Sequence, residues 1–517
     1  MKLTLISNPS TNADEIYNTV AQNCNFYIDS NGEAFMVCYD RGTYTLVYLS
    51  YADLAKRFIN LLVFQHYNCT VRNSDIQTAY DTICALVTAC SKKVAVYTRV
   101  GRIENTVYYD LAGPSGDIVE ITDSKVSVVK KSSVKGLFFS QDKAMLEQVE
   151  PIVGDYCLLD FINENFNVCE NQRLLFAVYI CAAFVPGISH PILITEGEKG
   201  SGKTITNKRL SRIINPVAKD VFVLPKKEND LITSLSNNHF CAFDNVGTLS
   251  ADYCNVLCQA STGGALTKRK LYSDNTEICI NIKRLVSLNG INMKISQSDL
   301  LDRAIILKLN RIENSKRLPD EELEARFNER LPYALGNIFK IISKMLKIFP
   351  NVLLKEYKRM SDFSRYGYAI AEAIHEGWGE KFLEDYDDNI KLATETVVEE
   401  NPLLSAVWSF IDKKNYWCGT ASELLATLQN SYRQLNNTKI LPASFPSNAI
   451  SLSRALGTHE HEMEVLGISF ESGRSKDRYV ELRKIGTNPP PESTNLTNST
   501  TEKSNGYRKV DSLLTDD

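Results

Sequence analysis

Apolar and polar positions change rhythm several times along this chain, and each change predicts a different element. Over residues 1–145 most stretches alternate at every second position. "EAFMVCYDRGTYTLVYL" reads as two strands folded about Asp40-Arg41-Gly42, and "VAVYTRV", "TVYYDLAG" and "IVEITDSKVSVVK" read as strands of a sheet with one wet face. "NSDIQTAYDTICALVTAC" carries a helical stripe instead. It opens with Ser74 and has Gln77 three residues on, the spacing of a capping box.

From about 150 to 345 short apolar runs alternate with helical stripes, which predicts a parallel sheet covered by helices. The most apolar run, "LLFAVYICAAFVPGI" (Leu174 to Ile188), is shorter than the roughly 18 residues a membrane span needs. It reads as a buried helix stopped by Pro186-Gly187. Residues 320–400 are mostly helical in pattern, and 401–485 give helix, strand, helix, helix and two strands, an order that fits a winged helix. After Gly486 the polar stretch "GTNPPPESTNLTNSTTEKSNG" cannot bury enough apolar surface to order itself. The expected fold class is therefore α/β and multidomain. Its parts are an α+β N-terminal domain (1–145), a core of alternating strands and helices (146–345), a helical linker region (346–400), a winged helix (401–485) and a disordered tail (486–517).

Composition narrows the partners. The 517 residues carry a formal net charge of −4, so no global electrostatic footprint for nucleic acid exists and any such contact must come from local basic patches. Two patches stand out. "STGGALTKRKLYSD" sets Gly263 and Gly264 before Lys268, Arg269 and Lys270, with the aromatic Tyr272 close behind. Arg474, Lys476 and Arg478 surround the turn between the last two expected strands, where a wing would meet phosphates. The 13 cysteines include no C-x-x-C pair, and the N-terminus has no long apolar core. Both point to a reducing, cytoplasmic setting with no membrane partner. Cys254 and Cys258 share a helix face and His459 and His461 stand close together, yet neither pair has a second pair nearby to complete a metal site.

The strongest chemistry lies in "HPILITEGEKGSGKTITNKRL". The apolar run Ile192-Leu193-Ile194 leads into Gly197, Gly200, Ser201, Gly202, Lys203 and Thr204, a G-x-x-x-x-G-K-T pattern between a strand and a helix. Glycines there let backbone N–H groups face a phosphate chain, Lys203 reaches its outer phosphates, and Thr204 can ligate Mg²⁺. An acidic partner is expected at the tip of a neighbouring strand. Asp244 ends "HFCAFDN" and suits that role, but Asn245 stands where many ATPases carry a second acid. "RLVSLNGIN" places Asn289 at another strand tip, suited to a γ-phosphate or a lytic water. In "SQSDLLDRAIILKL", Arg303 precedes a further strand; it either reaches a neighbouring subunit's phosphate or pairs with Asp299 or Asp302.

"GEKGSGKT", "FDN", "STGGALTKRKLY", "LNGIN" and "DLLDRAIIL" occur in this order over a chain that resembles superfamily-3-type, AAA+-related helicases of phages, plasmids and genomic islands. It is most similar to the MCM-like replicative helicases of staphylococcal cassette elements and pathogenicity islands. The resemblance covers roughly residues 150–485 and implies a P-loop core that uses ATP and Mg²⁺. It implies Lys203 and Thr204 as the Walker A pair, Asp244 as the Walker B acid, Asn289 as the sensor and Arg303 as a finger acting across a ring. It further implies a homohexamer that unwinds forked duplex DNA by gripping a single strand in its central channel with the hairpin around Lys268 to Lys270. The activity expected is an ATP-dependent DNA helicase in replication initiation. The alternative, favoured by Asn245, is a nucleotide-gated DNA-binding initiator or loader that does not unwind.

Overall fold

Strands that are apolar without interruption in the sequence are buried on both faces. The central sheet of residues 1–397 has five strands in the spatial order Phe222–Val223, Phe240–Asp244, Leu285–Asn289, Ile192–Glu196, Ala304–Lys308. Every pairing in it is parallel. Along Ile192–Glu196, Leu193 enters one large apolar cluster, while Ile192 and Ile194 enter another on the opposite face. Ile305 and Ile306 divide in the same way. This double burial is what parallel strands covered by helices require. The buried helix Arg173–Ala182 belongs to the first cluster, and helix Ala251–Thr262 contributes Val256 and Leu257 to the second.

The computed structural model describes residues 2–6, 12–40, 42–90, 92–140, 142–269, 277–290, 293–295, 297–312, 317–474 and 478–486. It divides into two compact units, residues 1–397 and 398–517. Among the described residues no helix is long and apolar enough to cross a membrane.

In the first unit, helices Asn12–Asn23, Ala52–Tyr67 and Asn73–Cys90 accompany an antiparallel sheet of Cys24–Ile28, Ala34–Asp40 and Thr43–Tyr48. Val100–Ile103, Thr106–Asp110, Asp117–Ile121 and Val126–Lys130 form a second antiparallel sheet. The capping box expected at Ser74 does not form. The helix starts at Asn73, and the Gln77 amide donates to Asp81 Oδ1 over 2.8 Å, one turn further along. The 29-residue helix Asp320–Ile348 contains Pro332, whose carbonyl accepts the N–H of Ile152 over 2.9 Å. Gly336 admits the same segment. A Cβ there would lie 2.0 Å from the Ile152 carbonyl oxygen. Helices Ser361–Ile374 and Trp378–Glu400 follow.

The second unit holds helices Pro402–Lys414, Ala421–Leu435, Ala449–Thr458 and Glu460–Val465 with a three-stranded antiparallel sheet. Tyr416–Gly419 and Ile468–Arg474 flank the strand Arg478–Lys484. Thr420 and Glu423 cap Ala421–Leu435 reciprocally, which satisfies two of its free N-terminal N–H groups. His459 lies between Glu462 and Asn401, at 3.2 and 3.1 Å.

Candidate functional site

Several strand ends meet at the C-terminal edge of the central sheet, each bringing a polar feature. Strand Ile192–Glu196 runs into a loop in which Gly197, Gly200 and Gly202 take φ of 155°, 82° and 93°. A Cβ at Gly197 would stand 2.5 Å from Ser201 Oγ and 3.0 Å from the Leu309 carbonyl oxygen. So tight a turn needs glycine, and it lets consecutive N–H groups face one side. Gly202 leads into helix Lys203–Ile214, whose first turn is capped by no side chain. Free N–H groups and the positive end of the helix dipole then form an anion site. The Lys203 ammonium arches over the loop and donates to the Gly197 and Glu198 carbonyls at 2.5 and 3.1 Å.

Asp244 comes from the strand two places away in the sheet. Its Oδ1 accepts the Thr204 hydroxyl at 3.2 Å and the Asn245 N–H at 2.9 Å. Asn289 lies on the strand between them, and its Oδ1 also accepts the Asn245 N–H, at 3.0 Å. Asn245 reaches both carboxyl and amide by adopting φ 56°, the left-handed region that asparagine tolerates. The Val246 N–H donates to the Asn289 carbonyl over 2.8 Å, and a Cβ on Gly290 would come within 2.1 Å of the Val246 carbonyl oxygen. The two strand tips are thereby stapled together. Two buried atoms lining this edge are left over: Ser201 Oγ in the glycine loop and Asn289 Nδ2, on a residue 1% exposed, have no hydrogen-bond partner. A buried amide donor without a partner is rare and needs an explanation.

These groups line a cavity of about 1070 Å³. Residues absent from the motif reading complete its walls, notably Asn167, Arg311 and Arg317. Asn167 Nδ2 donates to the Ser201 carbonyl at 3.2 Å and also to that of Asn310, tying the glycine loop to the chain after the fifth strand. Arg311 pairs with Glu198 at 3.5 Å, both largely exposed. Arg317 lies over Gly200, where a Cβ would be 2.8 Å from its terminal nitrogen. Both arginines follow strand Ala304–Lys308, whose C-terminal end lies on the same edge. That position was the only signal available.

Arg209 on the glycine-loop helix also lines the cavity and is 4% exposed. It donates to the Asn165 and Leu323 carbonyls and lies 5.3 Å from the Phe327 ring centre. Burial lowers the affinity of its guanidinium for a proton.

Arg303 stands at the other edge. It precedes strand Ala304–Lys308, and its carbonyl accepts the N–H of Ile192, where the neighbouring strand begins. Its guanidinium is ion-paired with Asp299. Arg359 also binds Asp299 and reaches Asp302 at 2.7 Å. Burial alone would raise the Asp299 carboxyl, but the two arginines outweigh it and hold the group below its usual range. Of the two alternatives for Arg303, the pairing with Asp299 is the one present within the chain.

The basic hairpin is rooted at this second edge. Strands Gly264–Arg269 and Glu277–Ile282 pair in antiparallel register, with Lys268 opposite Ile278 and Arg269 opposite Glu277. For Lys268 and Arg269 only the backbone is described, and Lys270 and Tyr272 lie outside the described residues. The root is firmly held. The Lys283 ammonium donates to the Gly187 carbonyl at 2.9 Å, and the Arg284 guanidinium to the Leu235 and Ser236 carbonyls at 2.9 and 3.1 Å. His190 and His239 lie beneath it, fully buried, and burial pushes them down to about 3 and about 4. Arg474 and Arg478 face each other in register across the last hairpin, again as backbone only, and Lys476 and the tail lie outside the described residues. Cys254 and Cys258 are buried and form no disulfide, and among the described residues no group of three or more His, Cys, Asp or Glu is placed to hold a metal.

No curated protein matches the chain. Among solved structures it is similar to three apo structures of the NrS-1 C-terminal region, at 11%, 11% and 13% identity with TM-scores of 0.41, 0.40 and 0.38. These matches cover 91%, 92% and 91% of this chain and 98%, 100% and 98% of the other. Residues 157–380 match the family model of the actinomycete integrative conjugative element replication protein, and residues 403–499 match the model of that protein's C-terminal domain. Over those two stretches the chain carries the sequence signature of the replication proteins of a mobile genetic element.

Proposed function

We propose that this replication protein is an ATP-dependent DNA helicase acting in replication initiation of its element. The observation that carries the reading is the convergence on one sheet edge of an uncapped helix N-terminus, Lys203, the Thr204–Asp244 pair and the unpartnered Nδ2 of Asn289. The donor set fits a nucleoside triphosphate with a divalent cation. The glycine loop and Lys203 would hold the phosphates, and Thr204 and Asp244 would hold Mg²⁺, which would supply charge neutralisation at the outer phosphates. Asn289, fixed through its Oδ1 by the Asn245 N–H, turns its Nδ2 to the γ-phosphate or the attacking water. Its orientation is set before substrate arrives, which keeps the reorganisation cost of catalysis low.

The core is read as a P-loop, superfamily-3-type ATPase working as a hexamer in the cytoplasm, with Arg303 offered to the neighbouring subunit. The hairpin bearing Lys268, Arg269 and Lys270 grips a single strand. The helix and strand order of the second unit supports a winged helix whose Arg474, Lys476 and Arg478 contact phosphates. The test is forked-duplex unwinding measured beside steady-state ATP hydrolysis. Unwinding that is lost in Lys203→Ala supports the helicase; equal unwinding by Lys203→Ala sinks it. Asn245 favours the second reading, a nucleotide-gated initiator or loader. Its side-chain amide cannot take a proton from water. Slow hydrolysis with DNA binding and no unwinding is the result that selects it.

A further inference from the structure

The nucleotide cavity touches the start of the long helix Asp320–Ile348, and a second cavity opens near that helix's end. It has a volume of about 1180 Å³, and its lining includes the aliphatic residues Val126, Val153, Ile348 and Ile374. Leu323 lines the first cavity and Lys340 the second; they are 17 helical positions apart, about 25 Å at 1.5 Å per residue.

Lysines rim this second cavity. Lys340, Lys344 and Lys347 stand at i, i+4 and i+7 on one helix face, and Lys125 approaches from the turn after strand Asp117–Ile121. Lys340 is paired with Asp155 at 3.2 Å and Lys125 with Glu120 at 3.6 Å. Lys344 and Lys347 are exposed and have no anionic partner among the described residues. The acids on the rim are Asp123, Glu372 and Glu376. Glu372 is spent on the backbone, accepting the Gly377 and Gly379 N–H groups at 3.0 and 2.8 Å. At one end the exposed His375 ring stacks on Trp378, with centroids 4.8 Å apart and planes 23° apart, and Lys381 lies 5.3 Å from the Trp378 ring centre.

We propose that this groove is a second contact for single-stranded nucleic acid, separate from the basic hairpin. The chemistry is that of strand-tracking surfaces: cations spaced along a backbone path, an apolar floor and an aromatic face on which a base can stack. Lys340 and Lys344 are about 6 Å apart along the axis and Lys344 and Lys347 about 4.5 Å, and their long side chains can fan out to different phosphates of an extended strand. A duplex would leave the apolar floor and the His375 face unused. The inference rests on the nucleic-acid reading above.

The test is binding of fluorescently labelled oligo(dT) to the full chain over a salt series, without nucleotide. Four proteins are compared: wild type, Lys344→Glu/Lys347→Glu, Lys268→Ala/Arg269→Ala/Lys270→Ala, and His375→Ala. The groove variant is expected to bind about tenfold more weakly and to lose about 1.4 from the slope of log affinity against log salt, two phosphate contacts at roughly 0.7 each. Its DNA-free ATP hydrolysis should equal that of wild type. His375→Ala should weaken binding severalfold with the salt slope unchanged. Unchanged affinity and slope in the groove variant, with loss confined to the hairpin variant, overturns the groove and leaves the helicase reading standing. Failure of wild type itself to bind oligo(dT) overturns both. Polyglutamate bound by wild type but not by the groove variant, with oligo(dT) binding equal in the two, assigns the groove to an acidic protein and also overturns the proposal.

Discussion

The two edges of the central sheet are built differently. At the C-terminal edge the polar groups face a cavity, glycines take left-handed backbone, and an amide nitrogen of Asn289 has no partner. At the N-terminal edge most polar groups are consumed, the buried Nε of Arg303 being an exception. Arg284 and Lys283 are spent on carbonyls, His190 and His239 are buried neutral, and Arg303 is paired with Asp299. One edge presents uncommitted polar groups to a cavity; the other spends most of its polar groups on the root of the hairpin. Helix Ala251–Thr262 links them. It begins seven residues after Asp244, and its C-cap, Gly263, precedes the hairpin. A shift at Asp244 or Asn245 can therefore reach the hairpin root through a packed rod rather than a loose loop.

This contrast can be broken from either side. The largest effect expected is at the open edge: on the proposed ATPase reading, Lys203→Ala should lower ATP turnover by about a hundredfold or more, since it would remove a charged donor from the phosphates. Steady-state phosphate release is the measure. Next comes Gly290→Ala. Its Cβ would meet the Val246 carbonyl at 2.1 Å, so the two strand tips must part, at a cost of about 1–3 kcal/mol seen as a lower midpoint in urea unfolding. Asn289→Ala should cut turnover by about tenfold while nucleotide affinity, read by fluorescence titration of an ATP analogue, changes less, because the lost donor acts on the reacting phosphate.

The smallest effect belongs to the closed edge and is a pH dependence. His190 and His239 have folded values of about 3 and about 4 against an unfolded 6.5. Between these limits the unfolded chain binds more protons, so stability is steady above about pH 6.5 and falls as pH drops toward 4. The loss is on the order of 1 kcal/mol by about pH 6, and His239→Gln should reduce it in urea titrations run across that range.

Much of the core was legible because its signals are local. A parallel strand buried on both faces is a short apolar run, and the glycines, Lys203 and Thr204 lie within eight residues of sequence. The joining of the strand tips was not legible. Asn245 meets Asn289 across 44 positions, and Asn167 meets Asn310 across 143. No spacing rule reaches so far. Arg303 shows the same limit from another direction. Its pairing with Asp299 was readable at i, i+4, but the Arg359 that shares this carboxylate comes from 60 positions away. The capping box at Ser74 failed for a local reason, since Gln77 found a partner one turn along in Asp81.

The most direct test of a link between the edges is ATP hydrolysis by the full chain with and without single-stranded DNA, in wild type and in Lys268→Ala/Arg269→Ala/Lys270→Ala. DNA should raise wild-type turnover, and the triple variant should keep its basal rate and lose the stimulation. A triple variant that loses basal turnover as well would make the hairpin part of the nucleotide site, and a wild type indifferent to DNA would leave the two edges unconnected.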